Sequence, residues 1–261
     1  TRGLCRVVRR QRNSASRNLM INGEDSVDEP HTLIFDLDGT LIDSSGDVCR
    51  ALNELLKNEF HYRGPALSEA VVKPMIGDGM NALVERAIKE ASLDLPVEKQ
   101  EVKALVLALA TIYDKQDYSH TRCLPMVMET LTTLKEDGGH NMVVCTNKDT
   151  QPTVDILNHF GLRSFFSAVV GGNALPVQKP NAGHLIAAVE MGGGDVNRAL
   201  MIGDGHNDVL VARNAGVPVI ALSWEYGYSK IPLEQLQPNT IVDSFEDIPQ
   251  AIEHLVDVSM Y

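Results

Sequence analysis

The chain has 261 residues, of which 44% are hydrophobic, and a formal net charge of −12. This length accommodates one large α/β domain with a smaller module, and the hydrophobic fraction is typical of a globular core. The negative charge argues against a general nucleic-acid binder or a protein held on an anionic membrane, because both need a cationic surface. A small anionic ligand is compatible with the charge, provided that cations are placed locally.

The positions of the cysteines and the lengths of the apolar stretches limit further which class of protein this can be. The four cysteines are far apart and form no C-x-x-C pair, so neither a zinc site nor a disulfide framework is indicated. The longest apolar stretch, residues 104–113, is about half of the ~20 residues that a membrane-spanning helix needs. Together with the charge, these features favour a cytoplasmic protein that binds neither nucleic acid nor membrane. We expect a monomer or a homodimer, although no sequence feature distinguishes the two.

The first segment differs from the rest. Residues 1–19 contain six arginines and no acidic residue, and Met20 opens a more ordinary sequence. An organellar transit peptide has a similar composition. We expect instead that residues 1–30 form a disordered extension, or that the true start lies within them.

Short apolar runs rich in strand formers recur from Thr32 onward, and each is separated from the next by a plausible helix. The runs are residues 32–35, 142–145, 168–170, 199–202 and 218–222. Strands that alternate with helices predict a parallel sheet, and therefore an α/β, Rossmann-like core.

One interval breaks the alternation. Residues 47–119 show only helical periodicity, with Leu52 and Leu55 on one apolar face and Leu105 and Leu109 on another. We therefore predict a small helical cap domain at 47–119, inserted into a core formed by residues 31–46 and 120–261.

Asp36 and Asp38 follow the first predicted strand. Because extended chain has a period of two residues, their carboxylates point the same way and repel each other. Such crowding needs a cation or a proton, so one carboxylate can bind metal and attack while its neighbour holds a proton for a leaving group. An Asp-Gly pair is by itself more typical of a surface turn.

Two further segments follow later strands. Thr146 and Asn147 offer a hydroxyl and backbone amides for phosphate oxygens. Lys179 precedes a predicted helix at 182–191, where its ammonium can neutralise a phosphoryl group. Lys148 is a rival for that task, but it lies so close to Thr146 that Lys179 is the preferred independent cation.

Two more carboxylates belong to the fourth segment. Asp204 ends the run at 199–202, and Asp208 falls in the first turn of the next helix. A similar Gly-Asp-Gly occurs at 77–79, but Pro74 interrupts its lead-in and Ala82 replaces the second Asp. The sequence therefore assigns a metal site to the later copy.

Taken singly, each segment also fits a turn, a helix cap or a solvated lysine. Open α/β sheets, however, bind ligands at the carboxyl ends of their strands, where all four segments stand. We therefore expect them to form one site. Asp36, Asp38 and Asp204 supply the hard oxygen ligands that suit Mg²⁺.

These four segments, with a helical insertion after the first, resemble the haloacid dehalogenase superfamily of phosphohydrolases. The resemblance covers nearly everything from Thr32 onward. The motifs at 35–44, 144–148 and 168–180 are similar to those of its phosphoglycolate phosphatase branch, which carries a small helical cap.

The resemblance implies a Mg²⁺-dependent phosphatase that converts a small phosphorylated metabolite, 2-phosphoglycolate, to glycolate and phosphate. It also implies a role for each matching residue. By this resemblance, Asp36 is the nucleophile and Asp38 is the general acid and then the base. Thr146 and Lys179 hold the phosphate. Mg²⁺ is bound by Asp36, the Asp38 carbonyl and Asp204, and Asp208 supports this site.

The sequence departs from the family pattern at two positions; the first should only loosen a helix start, whereas the second weakens the substrate assignment. Ala182 replaces the second proline of a common Lys-Pro-x-Pro, and Gly205 stands where the branch commonly has Ser. The segment 77–86 matches the loop that the family lowers over its site. Cap cations that could meet a substrate carboxylate are Arg63, Lys73 and Arg86.

Three alternatives are open at this point. A β-phosphoglucomutase-like phosphotransferase shares Asp36 and Asp38, and a pyrophosphatase or nucleotidase shares the whole mechanism. A non-catalytic binding protein can also keep the fold. The presence of all of Asp36, Asp38, Lys179 and Asp204 argues against that last reading.

Overall fold

The computed structural model describes residues 6–7, 31–94, 99–136, 139–229 and 231–259. Its strands are β1 (Arg6–Val7), β2 (Thr32–Phe35), β3 (Ile42–Asp43), β4 (Arg122–Cys123), β5 (Asn141–Cys145), β6 (Ala168–Val170), β7 (Ala199–Gly203), β8 (Val219–Leu222) and β9 (Thr240–Val242). Seven of them form one sheet in the order β1-β9-β8-β7-β2-β5-β6. All neighbours in this sheet are parallel except β1, which pairs antiparallel with β9.

Ten helices accompany these strands in the described part of the chain. They are α1 (Ser45–Phe60), α2 (Glu69–Val72), α3 (Met80–Glu90), α4 (Lys99–Tyr113), α5 (Val127–Glu136), α6 (Thr150–His159), α7 (Ala182–Met191), α8 (His206–Ala215), α9 (Leu233–Leu236) and α10 (Ile248–Ser259). None of them has both the length and the apolar character needed to cross a membrane.

The central strand β2 is buried on both faces, which is why its sequence is a continuous apolar run. Leu33 and Phe35 join one core cluster, whereas Ile34 between them joins the other. The second cluster is completed by residues of α7 and α8, such as Leu185 and Val209. The predicted α/β fold with a parallel sheet is confirmed, and the five predicted strands correspond to β2, β5, β6, β7 and β8.

The two-residue strands β3 and β4 were not predicted. They pair antiparallel, with Ile42 opposite Cys123, and helices α1 to α4 lie between them in the chain. These helices pack around buried leucines, including Leu52, Leu56 and Leu109. The division into a core and a cap domain at residues 47 and 119 stays a prediction, and below 'the cap' means helices α1 to α4 with the loops between them.

The N-terminal segment is described only at β1, where Arg6 pairs with Ile241 and Val7 with Thr240. The other residues of 1–30, which we expect to be disordered or to precede the true start, lie outside the described residues.

Candidate active site at the carboxyl edge of the sheet

The loops that carry the predicted site are neighbours because β2 pairs with both β5 and β7. Asp36 directly follows β2, Thr146 directly follows β5, and Asp204 directly follows β7. Since these strands are parallel, the three residues meet at the same edge of the sheet.

Asp36, Asp204 and Asp208 form an acidic cluster, in which one carboxylate oxygen of each residue lies within 4.8 Å of the others. Burial and the charges of Asp208 and Asp36 raise the pKa of Asp204 well above its usual range. Burial and the charge of Asp36 raise the pKa of Asp208 to about 6, although Lys179 opposes this shift. The cluster is therefore short of positive charge and suited to a cation.

Lys179 is a cation in direct contact with this cluster. Its Nζ lies 2.7 Å from Asp208 Oδ1 and 2.9 Å from Asp36 Oδ1, and the residue is 2% exposed. Burial alone lowers the pKa of Lys179, but the charges of Asp208 and Asp36 more than reverse that effect and raise it. Lys179 therefore stays an ammonium, held beside Asp36 by Asp208.

Asp204 is held by neutral donors. Thr40 Oγ1 donates to its Oδ1 at 2.8 Å, and the backbone N–H of Tyr228 donates to its Oδ2 at 2.6 Å. Gly39 packs against the same carboxylate with φ of +85°, and a Cβ at this position would lie 2.5 Å from Asp204 Oδ2. Only glycine therefore fits beside Asp204.

Sequence reasoning missed both of these supporting residues. Thr40 directly follows the Asp-x-Asp-Gly motif, so its position was a usable signal. Tyr228 lies 24 residues beyond Asp204 in an irregular loop, and no sequence pattern marks it.

Asp38 has different neighbours, although it is only two residues from Asp36. Its carboxylate accepts a hydrogen bond from Ser44 Oγ, and Lys148 Nζ lies 3.4 Å from both of its oxygens. The structure thus brings three of the four predicted metal residues together through their carboxylates, and it turns the Asp38 carboxylate away toward Lys148. Lys148, which the sequence ranked below Lys179, belongs to the site as well.

Thr146 and Asn147 occupy the loop after β5. Thr146 is 2% exposed, and its Oγ1 accepts the backbone N–H of Lys148 at 3.3 Å. Asn147 Nδ2 donates to the carbonyl oxygens of Gly77, at 2.9 Å, and Lys179, at 3.0 Å. The Asn147 side chain therefore ties the cap loop to the loop that carries Lys179.

A second asparagine makes the same connection. Asn207 Nδ2 donates to Gly77 O at 3.0 Å and to Asp78 Oδ1 at 2.7 Å. Gln178 Nε2 adds a bond to Asp78 O at 3.3 Å. The segment at 77–79 therefore lies closed against the carboxyl edge of the sheet.

The three cap cations considered for a substrate carboxylate lie elsewhere. Arg86 is paired with Asp78 and donates to Met75 O at 2.8 Å. Lys73 donates to Glu225 O at 3.2 Å, and Arg63 is exposed. None of the three lines the cavity of the site.

That cavity has a volume of about 70 Å³ and lies between the sheet edge and the cap. Asp36, Asp38, Thr146 and Lys148 line it on the core side. The cap contributes mainly apolar side chains, among them Val48, Leu83, Leu109 and Tyr113. The cavity therefore joins the charged edge of the sheet to an apolar, enclosing wall.

Residues 33–222 match the family model of the haloacid dehalogenase-like hydrolases. The chain therefore belongs to this family, as its motifs indicate. It is 41% identical to the phosphoglycolate phosphatase of Caulobacter vibrioides over 220 residues, which cover 84% of this chain and 90% of the relative. The phosphoglycolate phosphatase of Agrobacterium fabrum is 34% identical, with coverage of 85% and 93%.

Solved structures agree with this assignment. The crystal structure of a predicted phosphoglycolate phosphatase from Haemophilus somnus matches with a TM-score of 0.75 at 33% identity, covering 85% of this chain and 98% of that one. The overall fold of this chain is thus also found in a solved structure of a predicted phosphoglycolate phosphatase.

Proposed function

We propose that this chain is a magnesium-dependent phosphatase that hydrolyses 2-phosphoglycolate to glycolate and phosphate through an aspartyl-phosphate on Asp36. The position of Asp36 carries the proposal. Its carboxylate belongs to the acidic cluster and contacts Lys179, and the same residue lines the cavity together with Asp38. The names of the relatives support the choice of substrate.

The acidic cluster fits a magnesium ion by its donor chemistry. Asp36, Asp204 and Asp208 offer three hard oxygen ligands, and Lys179 compensates only part of their charge. Magnesium, when bound, supplies positive charge that shields an anionic nucleophile from an anionic substrate. Thr40 and the Tyr228 backbone hold Asp204 in position for this purpose.

In the first step, a carboxylate oxygen of Asp36 forms a bond to phosphorus while the bond from phosphorus to the leaving oxygen breaks. Asp38, in its protonated form, transfers its proton to that oxygen, and glycolate leaves. Lys179 and the Thr146 hydroxyl face the phosphoryl oxygens and compensate their charge.

In the second step, Asp38 accepts a proton from water as the water oxygen attacks phosphorus. The bond between phosphorus and Asp36 breaks, phosphate is released and the Asp36 carboxylate is restored. The different surroundings of the two carboxylates support this division of labour, because Lys179 and Asp208 flank Asp36 whereas Ser44 and Lys148 contact Asp38.

The size of the cavity favours a small leaving group. A buried water needs about 10–15 Å³ of such space, so a cavity of about 70 Å³ is small. A small leaving group therefore needs less rearrangement of the cap than a hexose or a nucleoside. This observation supports a phosphatase of small esters over a glucose phosphotransferase or a nucleotidase.

The test is phosphate release, with and without magnesium, from 2-phosphoglycolate, β-glucose 1-phosphate, pyrophosphate and nucleoside monophosphates. We expect preferential, magnesium-dependent hydrolysis of 2-phosphoglycolate. Asp36→Asn should lower kcat by about 10⁴-fold or more, because it removes the nucleophile. Asp155→Asn, the same change on the exposed face of α6, is the matched control and should leave activity unchanged.

Preference for another ester would support the proposed mechanism and refute 2-phosphoglycolate as the substrate. Full activity of Asp36→Asn would refute the proposed mechanism, because that mechanism needs Asp36 as the nucleophile. No turnover on any ester would leave a phosphotransferase or a binding protein as the better account of the fold.

A further inference from the structure

The wall of the cavity contains one buried hydroxyl for which the mechanism has no use. Tyr113, the last residue of α4, is 6% exposed and lines the cavity. Its Oη is buried, and no group in the described part of the chain accepts its proton, because the neighbouring Lys148 ammonium can only donate. Because leaving a buried hydroxyl unpaired is costly, the position indicates a donor that is kept for a ligand.

A cation lies next to this tyrosine. Lys148 Nζ is 4.7 Å from the centroid of the Tyr113 ring and lines the same cavity. Its contacts with Asp38, at 3.4 Å, and with Ser44 Oγ, at 3.5 Å, are longer than the ~2.8 Å typical of a charge-assisted hydrogen bond. The ammonium therefore has donor capacity for another anion.

Both groups are on the side of the leaving group. Lys148 contacts Asp38, the residue that protonates the leaving oxygen in the proposed reaction, and Tyr113 adjoins Lys148. In the proposed reaction the phosphoryl group lies on the other side, near Lys179 and Asp36, whose side chains are in contact. An acceptor on the leaving group, a few atoms from phosphorus, would thus meet Lys148 and Tyr113.

We propose that the Tyr113 hydroxyl and the Lys148 ammonium bind the carboxylate of the leaving group, and that Tyr113 is the cap residue that selects an acidic substrate. This inference rests on the proposed function and names its specificity site. Burial raises the pKa of Tyr113, so the phenol keeps the proton that it donates.

Two carboxylates limit what this site accepts. Asp149 lines the same cavity, and Asp114 lines it from an exposed position. Their charges oppose a second negative charge on the leaving group. The site therefore favours a leaving group with a single carboxylate.

The decisive variant is Tyr113→Phe, which removes only the hydroxyl, tested on 2-phosphoglycolate and on 2-hydroxyethyl phosphate, which is similar in size but lacks the carboxylate. We expect kcat/KM for 2-phosphoglycolate to fall by about 10- to 100-fold, mainly through KM, since a hydrogen bond to a charged group is lost. The value for 2-hydroxyethyl phosphate should change by less than about threefold. Tyr62→Phe, a half-buried cap tyrosine outside the cavity lining, is the matched control.

Equal losses on both esters, or unchanged preference for 2-phosphoglycolate, would overturn the inference and leave the proposed function intact. Binding of glycolate, measured by calorimetry on wild type and Tyr113→Phe, does not depend on turnover. At least tenfold weaker binding to the variant supports the inference even if the proposed function fails. Equal binding, or no binding to wild type, overturns it. A thermal melt verifies that Tyr113→Phe is folded.

Discussion

The tripeptide Gly-Asp-Gly occurs twice, at 77–79 in the cap and at 203–205 at the end of β7, and the two aspartates have opposite surroundings. Asp204 is 2% exposed, accepts bonds from neutral donors and adjoins two other carboxylates, so its pKa is raised. Asp78 is only partly buried, with a side chain that is 23% exposed, and it is contacted by Arg86, Asn207 and His206. Burial raises the pKa of Asp78, but its hydrogen bonds to Arg86 and Asn207 outweigh burial and lower it.

The comparison shows that the residues around an aspartate, and not the Gly-Asp-Gly motif itself, decide what the carboxylate can do. A carboxylate crowded by carboxylates needs a cation from outside the chain, whereas one that is paired within the chain does not. Asp204 is therefore suited to hold metal. Asp78 instead fastens the cap to the start of α8 through Asn207. Each of the following predictions tests this contrast.

The largest effect is expected on catalysis when the two aspartates are changed in the same way. Asp204→Asn should lower kcat/KM by about 10³-fold at a fixed magnesium concentration, because a metal ligand loses its charge. Asp78→Asn should lower it by less than about tenfold, because it weakens only the closure of the cap. Steady-state phosphate release over a magnesium titration measures both.

If Asp204 binds magnesium and Asp78 does not, added magnesium should restore part of the activity of Asp204→Asn. It should restore none of the activity that Asp78→Asn has lost. Similar losses in the two variants, with similar magnesium dependence, would contradict this expectation.

A smaller difference is expected for the first glycines of the two motifs. In Gly203→Ala the new Cβ would lie 2.3 Å from Asp208 Cγ, so Asp208 and Lys179 must shift. We expect about 10²-fold lower kcat, the effect of a displacement of about 1 Å in a catalytic site. Gly77→Ala meets no described atom within 4 Å, but its φ of +112° disfavours alanine. It should cost about 1–2 kcal/mol of stability and little activity.

Kinetics and urea unfolding of both glycine variants check this expectation. A Gly203→Ala enzyme with normal kcat would show that Asp208 can move without consequence for the chemistry.

The smallest effect is expected on stability, where Asp204→Asn and Asp78→Asn should change the free energy of unfolding in opposite directions. Without magnesium at pH 7, Asp204→Asn should raise the free energy of unfolding, because it removes a carboxyl whose ionised form is disfavoured by burial and by neighbouring carboxylates. Asp78→Asn should lower it by about 1 kcal/mol, the value of a partly exposed ion pair. Urea unfolding in the presence of a chelator measures both values.

The pH dependence separates the two aspartates again. A carboxyl whose folded pKa is raised loses stability as pH rises from its unfolded pKa, about 3.9, so the gain from Asp204→Asn should grow with pH. A carboxyl whose folded pKa is lowered contributes fully above its unfolded pKa, so the loss from Asp78→Asn should shrink as pH falls below about 4. The same slope for both variants would refute the contrast in charge environment.

Much of the core was predictable because parallel strands buried on both faces have continuous apolar runs. The runs also located Asp36, Thr146 and Asp204, each of which directly follows a strand. Lys179 was found by its place before α7. The β3 and β4 pair was missed because two-residue strands have too little pattern to detect.

The sequence by itself determined which residues stand at the carboxyl edge, since strand ends follow from local hydrophobicity and from the order of strands and helices. Tertiary structure alone decided which charge faces which. Thr40 and Asp204 are 164 residues apart, and Lys148 reaches Asp38 across 110 residues. Such contacts depend on how distant loops converge, and a linear pattern carries no information about that distance. The linear pattern likewise gives no sign of the role proposed for Tyr113. In the sequence it is one of the apolar positions of a helix, and only the folded cap places it beside Lys148.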